Sequence, residues 1–128
     1  MRMLVADSQP DVADLLSRVL TINGHEAIIA LDGSQAISRL SKGHWDVAIL
    51  GSILSGVATS DVISYARRRA GNDLRIIWAQ ALPDAESRVA AFRAGADCVL
   101  ALPALVEELL AAVEAPVKSS QPQEIQES

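Results

Sequence analysis

The sequence predicts an α/β fold, a doubly wound five-stranded parallel sheet with five helices in a three-layer sandwich. Short apolar runs alternate five times with stretches whose apolar residues recur at helical spacing, and turn residues separate them. The runs are nearly continuous in hydrophobicity, which marks strands covered on both faces. With 128 residues, half of them hydrophobic, the chain can bury roughly two thirds of its unfolded surface as one domain.

Met3 to Ala6 is the first strand. Pro10 stands in the first turn of a helix carrying Val12, Leu15, Leu16, Val19 and Leu20, which Asn23-Gly24 closes. Ala27 to Leu31 is the second strand, and Gly33 turns into a helix whose inner face holds Ala36, Ile37 and Leu40. Asp46 to Leu50 is the third strand, and Thr59 or Ser60 caps a helix bearing Val62, Ile63 and Ala66. Leu74 to Trp78 is the fourth strand, followed by a helix from about Asp84 to Ala94 with Val89 and Phe92 inward and Gly95 at its end. Cys98 to Ala101 is the fifth strand, and Ala104 to Ala115 the last helix. Residues 1–115 make one domain. Pro116 stops the last helix, and the polar stretch 116–128, with only Val117 and Ile125 as aliphatics, reads as a flexible tail or the start of a linker.

Composition narrows the function classes. The net charge of −5 gives no general attraction to nucleic acid or anionic lipid. The lone Cys98 has no partner for an internal disulfide, no apolar stretch approaches the roughly 20 residues of a membrane span, and no secretory core follows Met1-Arg2. The expectation is a cytoplasmic protein. Arg67-Arg68-Arg69 reads as solvated helix face, Trp78 and Cys98 as core, and His25 and His44, which lack a metal-like partner, as solvated side chains.

Right-handed connections gather the C-terminal strand ends along one edge, where open α/β sheets place their sites. Asp7-Ser8-Gln9 stands there after the first strand, Gly51-Ser52 after the third, Ala79-Gln80 after the fourth, and Leu102-Pro103 after the fifth. The run Val47-Ala48-Ile49-Leu50 therefore ends without an acid.

Across about residues 2 to 115, the opening MLVADSQPDVADLLSRVL, the central WDVAIL, the stretch AESRVAAFRAGAD and the closing LPALVEELLAAV resemble, in order and spacing, the receiver domain of bacterial response regulators. The resemblance implies a flavodoxin-like, CheY-like sheet order of 2-1-3-4-5 with the active edge between the first and third strands. Active receivers of this family pass a phosphoryl group from a histidine kinase to an aspartate, with a divalent cation held by acidic residues. By resemblance, Asp7 and Ser8 stand at the family's acidic pair, Gly51 at the acceptor, Gln80 at the conserved threonine or serine, and Leu102 at the lysine before Pro103. The same resemblance implies a cis Leu102-Pro103 bond.

Without a carboxylate at Gly51 there is no nucleophile and one cation ligand fewer, and Leu102 leaves phosphoryl oxygens without a counter-ion. Ser8 or Ser52 is a poor substitute acceptor, since no base is evident beside either. The expectation is a degenerate receiver that is not an enzyme and takes no metal or cofactor, with Asp7 accepting backbone hydrogen bonds. The alternative is a small-ligand or anion sensor built from Asp7, Ser8, Ser52 and Gln80.

Signalling in the family couples the threonine or serine to an aromatic residue of the fifth strand; here those positions are Gln80 and Val99, so the usual switch is not expected. The last helix carries Leu105, Val106, Leu109, Leu110 and Val113, a wider apolar stripe than one buried face needs. With Val89, Val99 and Ala112 placed nearby by resemblance, it forms either a partner surface, most simply a two-fold homodimer, or a generous core face. Ala112 and Leu105 stand where the dimerising transcription-factor subgroup commonly has arginine and aspartate. The expected function is phosphorylation-independent interaction or dimerisation in signal transduction or transcriptional control. Other signalling proteins are the expected partners, and DNA is bound only through an output domain absent from this chain.

Overall fold

The structure, a computed structural model, describes residues 1–115, so the expected tail at 116–128 lies outside the described residues. In chain order the elements are β1 (Arg2–Ala6), α1 (Pro10–Ile22), β2 (Glu26–Ala30), α2 (Gly33–Leu40), β3 (Val47–Gly51), α3 (Thr59–Ala70), β4 (Arg75–Ala81), α4 (Ala85–Ala94), β5 (Cys98–Leu102) and α5 (Val106–Glu114). Every strand pair is parallel and the sheet order is β2-β1-β3-β4-β5, as expected. β4 runs three residues past Trp78, which carries Gln80 within the strand.

Alternating side chains divide the strands between two cores. Met3, Val5, Val47, Ile49 and Ile77 pack with α1 and α5 on one face; Leu4, Ala6, Ala48, Leu50 and Ile76 pack with α2, α3 and α4 on the other. Both cores are continuous hydrophobic layers, which fixes the strand ends that form the candidate site.

Four expectations for the helices need correction. In α1 the buried stripe is Ala13, Leu16, Ser17 and Leu20, and Leu15 is 63% exposed. Small residues complete the stripe there, so side-chain size misled the reading of the face. In α4, Val89 and Phe92 point to solvent, at 47% and 52% exposure, while Ala91 is the buried contact. Ser87, Ala91 and Ala94 form its inward line, and their small size lets the helix sit close to the sheet. Neither Thr59 nor Ser60 caps α3: Ala58 holds that position, and the Thr59 hydroxyl donates to the Gly51 carbonyl at 2.6 Å. Arg67 is not solvated face, because its guanidinium ties α3 to the Asp97 carboxylate at 2.7 Å and to three backbone carbonyls. Arg68 and Arg69 are exposed as expected.

His25 is also largely covered, with 11% of its side chain exposed, and its Nε2 lies 2.9 Å from a Glu114 carboxylate oxygen. His44 is solvated. Trp78 is half-buried against the α2–α4 core. Cys98 packs against the α1–α5 core, and burial pushes its thiol up from the ordinary value, away from redox reactivity.

Asp46, just before β3, accepts the Arg2 backbone N–H at 2.7 Å and contacts the His44 ring at 3.1 Å. The Arg2 hydrogen bond, helped by His44, holds this carboxyl below its ordinary value of 3.8. A depressed folded value stabilises the fold above the unfolded value, and that contribution disappears as pH falls through the folded one. Asp46→Asn is therefore expected to melt below the parent at neutral pH, with the two melts converging as pH drops under 3.8, measured by denaturant unfolding across pH.

Candidate functional site

The C-terminal strand ends place Asp7, Gly51 and Gln80 on one edge, but their polar atoms do not converge on a common point. Asp7 follows β1 and its Oδ1 accepts the Gln9 backbone N–H at 2.8 Å, the role expected of it. Its other oxygen leans over β3: a Cβ built on Gly51 would lie 2.9 Å from Asp7 Oδ2 and 3.4 Å from the Ala6 carbonyl. The carboxylate thus occupies the space into which a side chain at position 51 would begin to project. The Gly51 carbonyl is taken by Thr59, and the Ser52 N–H donates to the Ala79 carbonyl at 2.9 Å.

Ser8 is committed as well. Its Oγ accepts the Ser55 N–H at 2.9 Å and lies 3.3 Å from the Ser55 hydroxyl, while the Ser55 carbonyl accepts the Gly33 N–H at 2.9 Å. The β3–α3 loop is thereby pinned to the start of α2. One carboxylate with an oxygen already hydrogen-bonded, plus a hydroxyl and a carbonyl engaged elsewhere, is a donor set that does not suit Mg²⁺. Among the described residues no three His, Cys, Asp or Glu side chains group as metal ligands.

Gln80 turns toward α4. Its Oε1 accepts the Trp78 indole N–H at 2.8 Å, and its Nε2 donates to Ser87 Oγ at 3.1 Å. The Ser87 hydroxyl in turn donates to Asp84 Oδ1 at 2.6 Å, and the same oxygen caps α4 by accepting the Ser87 N–H at 2.8 Å. The donors all run one way, from indole to carboxylate, so each bond polarises the next. The Ser87 hydroxyl first, and then its N–H, hold the Asp84 carboxyl below the ordinary carboxylate range. Trp78 pairs in register with Val99, so an aromatic side chain sits on β4 beside the β5 position where the family resemblance places one and this chain has valine. Sequence reading passed over this chain; the Asp84-x-x-Ser87 spacing at a helix start was its signal.

The sequence profile of the response regulator receiver domain matches residues 3–114. The chain belongs to the response regulator receiver family. Its relatives include the response regulator MprA of Mycobacterium avium (strain 104), 33% identical over 128 residues, which cover all of this chain and 56% of the relative. The response regulator MprA of Mycobacterium tuberculosis (strain H37Rv) is 32% identical over 127 residues, 99% of this chain and 55% of the relative. The chain thus spans about half the length of the curated relatives it matches. Among solved structures, a putative response regulator from Chloroflexus aurantiacus superposes with a TM-score of 0.82 at 29% identity, covering 88% of this chain and 93% of that one. A response regulator protein from Burkholderia pseudomallei, solved with a phosphorylated aspartic acid, a calcium ion and citrate, gives a TM-score of 0.81 at 25% identity, covering 89% and 66%.

In this receiver domain Leu102 is half-buried against the α1–α5 core, and the Leu102-Pro103 bond is cis as the resemblance implied. The expected interface set divides. Val89, Leu105 and Val106 are exposed, and Val99 and Ala112 are partly covered. Leu109 and Val113 are 3% and 1% exposed and belong to the core, so their side chains are not available to a partner. Phe92, which sequence reading turned inward, joins the exposed apolar set. Among the described residues no helix is long and apolar enough to cross a membrane.

Proposed function

We propose that this receiver domain is a degenerate, phosphorylation-independent interaction domain of a bacterial response regulator, working in the cytoplasm and without catalytic activity. Its place is in signal transduction or transcriptional control, and any contact with DNA belongs to a separate output domain. The observation that carries the reading is the edge between β1 and β3. Gly51 offers no nucleophile, and the Asp7 carboxylate lies against it instead of helping to hold a cation. The hydrogen-bond chain from Trp78 to Asp84 supports the same reading, because it anchors α4 to β4 without any phosphoryl group. The sensor alternative has less support, since one Asp7 oxygen, the Ser8 hydroxyl and the Gln80 amide are engaged within the protein.

The partner surface combines Val89 and Phe92 of α4 with Leu105 and Val106 at the start of α5, and a two-fold dimer is its simplest closed use. Light scattering over a concentration series, with and without Mg²⁺ and an acyl phosphate, tests both parts. The expected result is one mass curve, unchanged by the reagents, and no added phosphate in the intact mass. A phosphodonor-dependent mass, or stable phosphate incorporation, overturns the proposal.

A further inference from the structure

The strongest unassigned feature lies at the far end of the sheet from Asp7. A cavity of about 320 Å³ opens between α2 and the β2 edge, and the charged side chains lining it are Arg2, Arg39 and Lys42. No carboxylate lines it, although the chain carries a net charge of −5. Neither Arg39 nor Lys42 forms an ion pair among the described residues.

The cations are positioned by a common scaffold. The buried Trp45 indole N–H donates to the Arg39 and Lys42 carbonyls, at 3.1 and 3.0 Å, and so fixes the turn from which both side chains leave. The Arg2 guanidinium lies over the Trp45 ring at 4.0 Å, a cation–π contact, and donates to the His44 carbonyl at 3.1 Å. Gly43 makes room for it: a Cβ there would stand 2.5 Å from Arg2 Nη1. The acid paired with its guanidinium, Glu26, is exposed and 3.9 Å away, an ion pair weak enough for a ligand to outcompete. Gln35 and Ser38 add neutral hydrogen-bonding groups to the wall. Since Gln35 Oε1 already accepts the Leu31 N–H, its amide N–H₂ remains as a donor.

Cations at a helix C-terminus also favour the helix dipole, which accounts for Arg39 in the last turn and for Lys42 just past the cap. It does not account for Arg2, which comes from β1 and is held in place by the Trp45 ring and the His44 carbonyl. We infer that this cavity is a binding site for a small phosphoryl-bearing molecule, with Arg2, Arg39 and Lys42 supplying the charge and Ser38 and Gln35 the directional hydrogen bonds. A preorganised guanidinium beside a lysine suits a polyanionic oxygen cluster better than a single carboxylate.

The probe is inorganic pyrophosphate, followed by two-dimensional NMR of the backbone amide and indole N–H groups. The expected result is a saturable shift of the Trp45 indole and of amides at the end of α2, with the Trp78 indole unmoved. Arg39→Ala combined with Lys42→Ala, both exposed positions, is expected to weaken binding about tenfold or more, through loss of two charge-assisted contacts. Inorganic phosphate as a second titrant distinguishes the sources: weaker binding than pyrophosphate points to a phosphorylated metabolite, and equal binding to free phosphate. Either result supports the site. It is overturned by the absence of a saturable shift through the millimolar range, by an unchanged affinity in the double variant, or by saturation with an acidic phosphopeptide but not with pyrophosphate.

Discussion

Gly51→Asp is expected to destabilise this receiver domain by about 1–3 kcal/mol in the absence of divalent ions. The new Cβ arrives 2.9 Å from Asp7 Oδ2, so Asp7 must turn away, and its hydrogen bond to the Gln9 N–H is strained or lost. Two carboxylates then share a strand end with no cation between them. Millimolar Mg²⁺ is expected to return part of the loss, because the pair gives the ion two acidic ligands. Phosphate uptake from an acyl phosphate stays low, since Leu102 supplies no positive charge to the transferring group. Adding Leu102→Lys is expected to raise uptake about 100-fold over Gly51→Asp alone, the size of effect seen when one transition-state contact is restored. Thermal melts with and without Mg²⁺ and intact mass after acyl phosphate treatment check both statements. A Gly51→Asp chain as stable as the parent without Mg²⁺ would mean that the Asp7 carboxylate is free to move.

Arg67→Met is expected to lower stability by about 2–4 kcal/mol, against less than about 0.5 kcal/mol for Arg68→Met or Arg69→Met. Arg67 makes five hydrogen bonds, reaching the carbonyls of Gly71, Leu74 and Gly95 and the Asp97 carboxylate. Asp97 also accepts the Ile76 N–H at 2.7 Å, so removing the guanidinium leaves a half-buried carboxylate with less compensation where β4 begins. Methionine keeps most of the aliphatic stem, which isolates the polar part of the effect. Equal losses for the three arginines in chemical denaturation would contradict this account.

The sheet was readable because five apolar runs bounded by turn residues leave few other ways to bury both faces. Side-chain direction was less readable, and the reason is physical. Where the buried stripe is made of large residues, as in Leu16 and Leu20, size and burial agree. Where close approach to the sheet favours small ones, as in α4, the alanines go inward and Val89 and Phe92 are left outside. Arg67 could not be told from Arg68 and Arg69 by sequence, since its partners lie 4 to 30 residues away and converge only when β4 and β5 pair. The strand-end positions were legible as residue types. What sequence did not reveal was that Asp7 fills the space above Gly51 and that Gln80 joins Trp78 to α4.

The one-way hydrogen-bond chain from Trp78 through Gln80 and Ser87 to Asp84 has a consequence for information flow. A receiver that toggles carries a message in the fraction of molecules bearing a mark, and that message can be erased within the lifetime of one molecule. On the proposed reading, a domain whose α4 is fixed by its own side chains has no such memory. Its signal, on the same reading, is set by how many copies are synthesised and how many are already occupied, so its control passes to gene expression and turnover, and its response lasts as long as the protein does.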